Sequence, residues 1–201
     1  MENNNNQIIN EETPFKTKLK KSLGNAWDLV KFAVIALIIV VPIRMFIAQP
    51  FVVSGESMFP TFNNGEYLIV DEISYIVGNP HRGDVIIFRY PNDTKKFFIK
   101  RIIGMPNEEI SINNGKITII NTENPDGFVL DEPYIDEEFN TTLNYKINND
   151  EYFVLGDNRN RSSDSRVWGT LPSKLIIGRA YLRLLPIKNI SYLPGYYNEA
   201  K

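Results

Sequence analysis

Ser57 lies in Ser54-Gly55-Glu56-Ser57-Met58-Phe59-Pro60-Thr61, between a glycine turn and a Met-x-Pro-Thr exit. That setting suits a nucleophile on a constrained loop. A serine hydroxyl is a poor nucleophile at neutral pH and needs a base within hydrogen-bond reach. Two bases are available in the chain. His81 with an aspartate would give a Ser-His-Asp triad, but it stands in Asn79-Pro80-His81-Arg82-Gly83-Asp84 and reads as an exposed loop histidine. Lys100 is the other. An ordinary lysine, with a pKa of about 10.4, is protonated at neutral pH and accepts no proton; burial disfavours the ammonium and lowers that value. On a strand Lys100 would share a face with Phe98 and Ile102. Phe97, Ile99 and Ile103 make the other face apolar too, so local pattern leaves its orientation open. A third polar stretch, Gly156-Asp157-Asn158-Arg159-Asn160-Arg161-Ser162-Ser163-Asp164-Ser165-Arg166, follows a hydrophobic run and is followed by Gly169. It reads as a polar turn, or as the source of a serine hydroxyl, braced by an Asp–Arg pair, that orients the base.

Composition narrows the chemistry further. The 201 residues include no cysteine and one histidine, which excludes thiol catalysis, disulfides, Cys-ligated zinc and a multi-histidine metal site. A net charge of −2 gives no electrostatic basis for nucleic-acid binding. The length accommodates one globular domain with a sizeable core, plus a tail.

Three regions must carry these residues. Residues 1–25, with an Asn run and no apolar periodicity, read as a disordered cytoplasmic tail ending in the basic cluster Lys16, Lys18, Lys20 and Lys21. Residues 26–48 read as a transmembrane anchor. At about 1.5 Å per residue, the stretch from Trp27 to Ile47 would cross a hydrocarbon core of roughly 30 Å. Lys31 and Arg44 would snorkel at its ends and Pro42 is tolerable there. A cleaved signal peptide is the rival, but Phe46 occupies a position two before Ala48 where cleavage wants a small residue. The basic cluster puts the N-terminus in the cytoplasm and everything after about Gln49 outside it.

Residues 49–201 read as a mainly β, antiparallel, partly closed catalytic domain. Its strands are Tyr67–Val70, Val85–Phe88, Phe97–Ile103, Tyr152–Leu155 and Arg179–Leu184, and a hairpin turns at Asn113-Asn114-Gly115. Residues 121–150, acidic and Asn-rich, read as a surface insertion, loop or subdomain, and only Pro172–Ile176 suggests a helical turn.

Together these segments resemble the bacterial type I signal peptidases. Ser54–Thr61 is similar to the family's nucleophile box, and Arg82-Gly83-Asp84-Val85 to its Arg-Gly-Asp strand. Lys100-Arg101-Ile102-Ile103-Gly104-Met105-Pro106 is similar to the box with the lysine base, and Gly156–Arg166 to the Gly-Asp-Asn-Arg…Ser-x-Asp-Ser-Arg box. Order and spacing match over residues 27–185. Each box alone is weak; four in order behind an apolar segment are specific.

The resemblance implies a serine endopeptidase that removes N-terminal signal peptides from exported preproteins through an acyl-enzyme. Ser57 would be the nucleophile and Lys100 the general base. Ser162 matches the serine that hydrogen-bonds the lysine, and Asp164 and Arg166 the pair that holds that serine. The Ser57 N–H would be one oxyanion donor. The family's second oxyanion position, a serine in some members, is Gly55 here, and the common Leu-Pro-Gly-Asp after Gly104 is Met-Pro-Asn-Glu. Val53 and Ile99 would wall the pockets for small substrate side chains, with the substrate added as a strand between the chain before Ser57 and the Lys100 strand. The implied partners are membrane-threaded preproteins and the lipid bilayer, with no metal, cofactor or nucleic acid; the implied location is the plasma membrane, single-pass. The alternatives are a narrower processing protease of pilin or conjugation precursors and a non-catalytic membrane-anchored β-domain. A self-cleaving Ser/Lys repressor would need a DNA-binding unit where this chain has the apolar segment.

Overall fold

The computed structural model describes residues 27–40 and 49–197. The chain divides into two units, Met1–Arg44 and Met45–Lys201, each taken by itself. In the first, residues 27–40 form helix α1, solvent-exposed along its described length, with Lys31 3.5 Å from Asp28. No helix among the described residues is long and apolar enough to cross a membrane. The span expected from Trp27 to Ile47 runs into residues 41–48, which, like the expected tail at 1–25, lie outside the described residues.

The second unit opens with β1 (Gln49–Val52), β2 (Tyr67–Asp71), the short helix α2 (Ser74–Val77), β3 (Val85–Tyr90) and the long β4 (Asp93–Gly104). Next come β5 (Glu109–Asn113), β6 (Lys116–Ile120), β7 (Phe128–Val129), β8 (Leu143–Lys146) and β9 (Glu151–Leu155). The chain ends through helix α3 (Ser165–Trp168), β10 (Leu171–Pro172), β11 (Ile176–Leu185) and β12 (Ser191–Tyr192).

All strand pairs among the described residues are antiparallel. The larger sheet runs β1-β2-β11-β3-β4-β9-β10, with β12 beside β11, and the smaller runs β7-β6-β5-β8. The larger sheet is open, which corrects the expected partial closure. Bulges bend β4 and β11, but β1 and β10 stand at opposite ends of the strand order and no register joins them.

Period-two burial accounts for the smaller sheet. Ile110 and Ile112 of β5 and Ile117 and Ile119 of β6 turn to one face, and a two-residue Asn114-Gly115 turn sets their register. Residues 121–150 supply β7 and β8 and send Leu130, Phe139 and Ile147 into the same core, so this stretch is a folded part of the subdomain. The larger sheet has a core on each face. One gathers Met58, Phe62, Leu68, Val70, Val85 and Ile87; the other gathers Ile86, Phe88, Ile102, Tyr152, Val154 and Leu171. β4 lies between them, and from Lys100 to Gly104 every residue is buried. The helical turn expected near Pro172 is the 3₁₀ turn Ser173–Leu175. Helices α2 and α3, four residues each, are too short to leave a 3.6-residue period.

Residues 121–150 also reach the polar loop after β9. Glu132 pairs with Arg159, whose side chain is fully buried, and Phe139 lies 4.8 Å beneath the same guanidinium. Replacing Glu132 by Gln leaves a buried cation without its carboxylate. Urea unfolding should then show a loss of about 3 kcal/mol, in the range for breaking a buried pair. The exposed Glu137→Gln change should leave the unfolding midpoint within experimental error.

Candidate active site

The Ser57 loop is exposed at its tip and anchored from below. Ser54, Gly55 and Glu56 face solvent, while Met58 and Phe62 are buried in the core beneath. Phe62 N–H donates to Met58 O at 2.8 Å and Phe59 N–H to Glu56 O at 3.1 Å, so the chain coils tightly past Ser57. Val53 N–H donates to Glu66 O and Gly65 N–H to Val53 O, closing the loop at its base. Gly55 N–H donates to Asn64 Oδ1 at 2.9 Å and is therefore already engaged. The Ser57 N–H has no hydrogen-bond partner among the described residues.

Lys100 reaches this loop from β4. Its Nζ donates to Ser57 Oγ at 2.8 Å and to Ile99 O at 2.9 Å. The lysine is 4% exposed, its cross-strand partner is the fully buried Ile86, and Nζ stands 5.3 Å from the Phe98 ring centroid. It thus shares the face of Phe98 and Ile102, the orientation that local pattern leaves open. Burial pushes its pKa down to about 8, against the opposing pull of Asp164 and Asp157. Those two carboxylates are held by the guanidinium groups of Arg166 and Arg101, so desolvation prevails.

Arg101, the next residue, points to the other side of β4 and is wholly buried. It grips Asp157 with two hydrogen bonds, Nε to Oδ1 at 2.8 Å and Nη2 to Oδ2 at 2.6 Å. Nη1 donates to the carbonyls of Gly83 and Gly195, and the guanidinium stacks 3.9 Å from the Tyr134 ring centroid. Asp157 also accepts the Thr61 hydroxyl, and Asn158 N–H donates to Ser57 O at 3.1 Å. One buried ion pair therefore ties β4, the Ser57 loop and the polar loop together. Such bidentate pairs fix geometry as well as adding energy.

The polar loop closes the site from behind. Asp164 is fully buried and takes Arg166 Nε and Nη2 at 2.8 Å each, while accepting Gly156 N–H at 3.1 Å. The Asp164–Arg166 pair therefore braces Gly156 and bonds no atom of Ser162. No hydrogen bond joins Ser162 to Lys100 among the described residues; Ser162 Oγ is buried and unpartnered. It lies against Gly156, where an added Cβ would stand 2.2 Å from Ser162 Oγ and 2.4 Å from Ser57 O. Only glycine allows the polar loop to approach the Ser57 loop so closely.

His81 is elsewhere. Its side chain is exposed at the turn before β3, with Asp84 as its neighbour, and Ser57 Oγ is bonded to Lys100 instead. Tyr75 donates to the same Asp84, and burial raises its hydroxyl pKa well above the ordinary range. Arg82 pairs with buried Glu108 at 2.7 Å, and Glu108 also accepts Met105 N–H. The departure Asn107-Glu108 is thus a braced turn, with Asn107 in the left-handed conformation that asparagine tolerates.

A groove of about 420 Å³ leads to the Ser57–Lys100 pair, lined on one side by Phe51–Ser54 and on the other by Lys96–Lys100. Val53 and Ile99 are both in its wall. β1 is a sheet edge, and β4 meets β9 only from Arg101 onward, so Lys96–Lys100 keep a free backbone edge opposite β3.

A family model described as signal peptidase, peptidase S26, matches residues 26–185. The chain belongs to this peptidase family. It is 37% identical to the probable signal peptidase I-2 of Synechocystis over 84% of this chain and 78% of that one. With the probable signal peptidase I-1 of the same organism it shares 36% identity over 87% of this chain and 92% of the relative. A crystal structure of a signal peptidase I from Enterococcus faecalis aligns with 28% identity and a TM-score of 0.44, covering 50% of this chain and 95% of that chain.

In this S26 peptidase the fold brings Ser57, Lys100, Val53 and Ile99 to one place, with Asp164, Arg166 and Ser162 directly behind. The parts of Arg101, Asp157, Thr61 and Asn64 have no signal in local pattern. Arg101 and Asp157 stand inside the matching boxes, but only contact reveals that they are partners. Gly156→Ala should slow acylation of Ser57 by a serine-reactive electrophile at least tenfold. Circular dichroism of the variant should still show the β-sheet signature of the wild type.

Proposed function

We propose that this S26 peptidase is a membrane-anchored signal peptidase that cleaves preproteins with Ser57 as nucleophile and Lys100 as general base. The observation that carries this reading is a buried amine, depressed to about 8, at 2.8 Å from a serine hydroxyl at the end of an open-edged groove. Neutral Lys100 takes the Ser57 proton as Oγ attacks the scissile carbonyl, and the resulting ammonium returns a proton to the leaving amine. An acyl-enzyme remains. Lys100 then draws a proton from the water that attacks the ester and passes it to Oγ as the acyl bond breaks, which restores neutral Lys100 and free Ser57. The unpaired Ser57 N–H is the oxyanion donor; such donors are typically worth several kcal/mol of barrier. Because Gly55 N–H is engaged by Asn64, it supplies no second donor in this arrangement. Ser162 keeps its hydroxyl buried and unpartnered behind the site, available to take up a hydrogen bond to Lys100 and orient it, and Asp164 with Arg166 keeps the loop that carries it in place.

The substrate is an extended segment that adds a strand between the free edges of β1 and β4. Val53 and Ile99 admit only small side chains next to the scissile bond. Residues 26–48 anchor the peptidase by a single span, residues 1–25 stay in the cytoplasm, and residues 49–201 work on the outer side of the plasma membrane. The lysines before the apolar segment support that orientation. Tethering raises the effective concentration of substrates threaded through the same bilayer.

Cleavage of a model preprotein in detergent micelles tests the assignment. Ser57→Ala and Lys100→Met should both be inactive, with turnover down by at least 10³-fold, the order expected when a nucleophile or its base is removed. His81→Ala should retain wild-type turnover. Activity in Lys100→Met, or its loss in His81→Ala, would remove the lysine from its role, and an inert wild type would favour a binding domain.

A further inference from the structure

The family match ends at residue 185, yet the chain beyond it returns to the site. Leu193 N–H donates to Tyr181 O at 2.8 Å, Pro194 is buried, and Tyr197 donates its hydroxyl to Asp131 at 2.7 Å while packing edge-on against Tyr134. Between these fastenings the Gly195 carbonyl accepts Arg101 Nη1. Gly195 has φ +78°, and an added Cβ would stand 2.7 Å from Thr61 Cγ2 and 3.1 Å from Val85 Cγ2. The segment therefore touches both ends of the Arg101–Asp157–Thr61 cluster, at a guanidinium that has no exposed surface.

We propose that Pro194–Tyr197 is a positioning strap. The Gly195 carbonyl seats Arg101 so that β4 holds Lys100 in register with the nucleophile loop. The inference rests on the Ser57–Lys100 reading. Lifting the strap leaves a buried guanidinium donor without its acceptor and admits water to the ion pair. The consequence falls on the spacing of Ser57 and Lys100. A small misplacement there lowers the chemical step, because proximity and orientation supply much of the rate. Substrate binding is spared, since no strap residue lines the groove.

Steady-state cleavage by the full chain tests this. Gly195→Ala should lower kcat at least tenfold with KM within twofold of wild type, while circular dichroism and the thermal midpoint show a folded enzyme. Adding Thr61→Ser to Gly195→Ala removes the methyl group that the new Cβ would strike and keeps the hydroxyl. The double variant should recover turnover at least threefold over the single one. Lys188→Ala, which alters an exposed side chain ahead of the strap, should cleave at the wild-type rate. Wild-type kcat in Gly195→Ala would overturn the proposal, as would a raised KM at unchanged kcat or a double variant no better than the single one. Activity in Ser57→Ala, run in parallel, would instead sink the dyad reading and so keeps the two failures apart.

Discussion

The site depends on keeping water away from one amine. Lys100 can act as a base only if its ammonium is poorly solvated, and its burial follows from where β4 runs. The strand passes between two cores at the point where its paired and free edges change over, so that Lys100 is buried while its tip still reaches the groove. Two carboxylates stand close enough to favour the ammonium, and each is matched by an arginine. The arrangement resolves a conflict between holding a polar loop in place, which needs charge, and keeping the lysine neutral, which needs its absence.

The same ion pairs unite parts that are distant in the chain. Arg101 and Asp157 join β4 to the loop after β9, Thr61 and Asn158 connect that loop to the Ser57 loop, and Glu132 with Phe139 brings the smaller sheet in behind Arg159. A buried pair of this kind contributes modest net stability once its desolvation is counted, but it fixes geometry closely. That suits a site in which 2.8 Å between Ser57 and Lys100 has to be held by three separate segments.

Much of this was legible in the sequence. Apolar β-branched and aromatic runs, punctuated by Gly, Pro or Asn, marked the strands from Tyr67 to Leu184, and the Asn-Gly turn marked the hairpin. The spacing of Ser57, Lys100 and Gly156–Arg166 marked the site. What was not legible depends on contacts between segments. Gln49–Val52 is a four-residue edge strand without alternation, visible only once paired to β2. Residues 121–150 conceal Leu130, Phe139 and Ile147 among Asn, Asp and Glu, at spacings that belong to no single element. Lys100 has apolar neighbours on both sides, so its orientation was undetermined until Ile86 was placed across from it. The resemblance led to a Ser162–Lys100 bond; in the fold the second lysine bond goes to Ile99 O, and Gly156 sets how near Ser162 comes.

The central claim is that the base is a buried lysine whose neutral form is populated near physiological pH. The most direct measurement is the pH dependence of kcat/KM for preprotein cleavage, which reports the ionisation of the free enzyme. Because burial lowers the pKa of Lys100 to about 8, its neutral fraction, and the rate with it, should be small at low pH. The rate should rise tenfold per unit and level off above a midpoint of about 8. A midpoint of about 6.5, the ordinary value for histidine, or of about 10.4, that of a solvated lysine, would contradict the account.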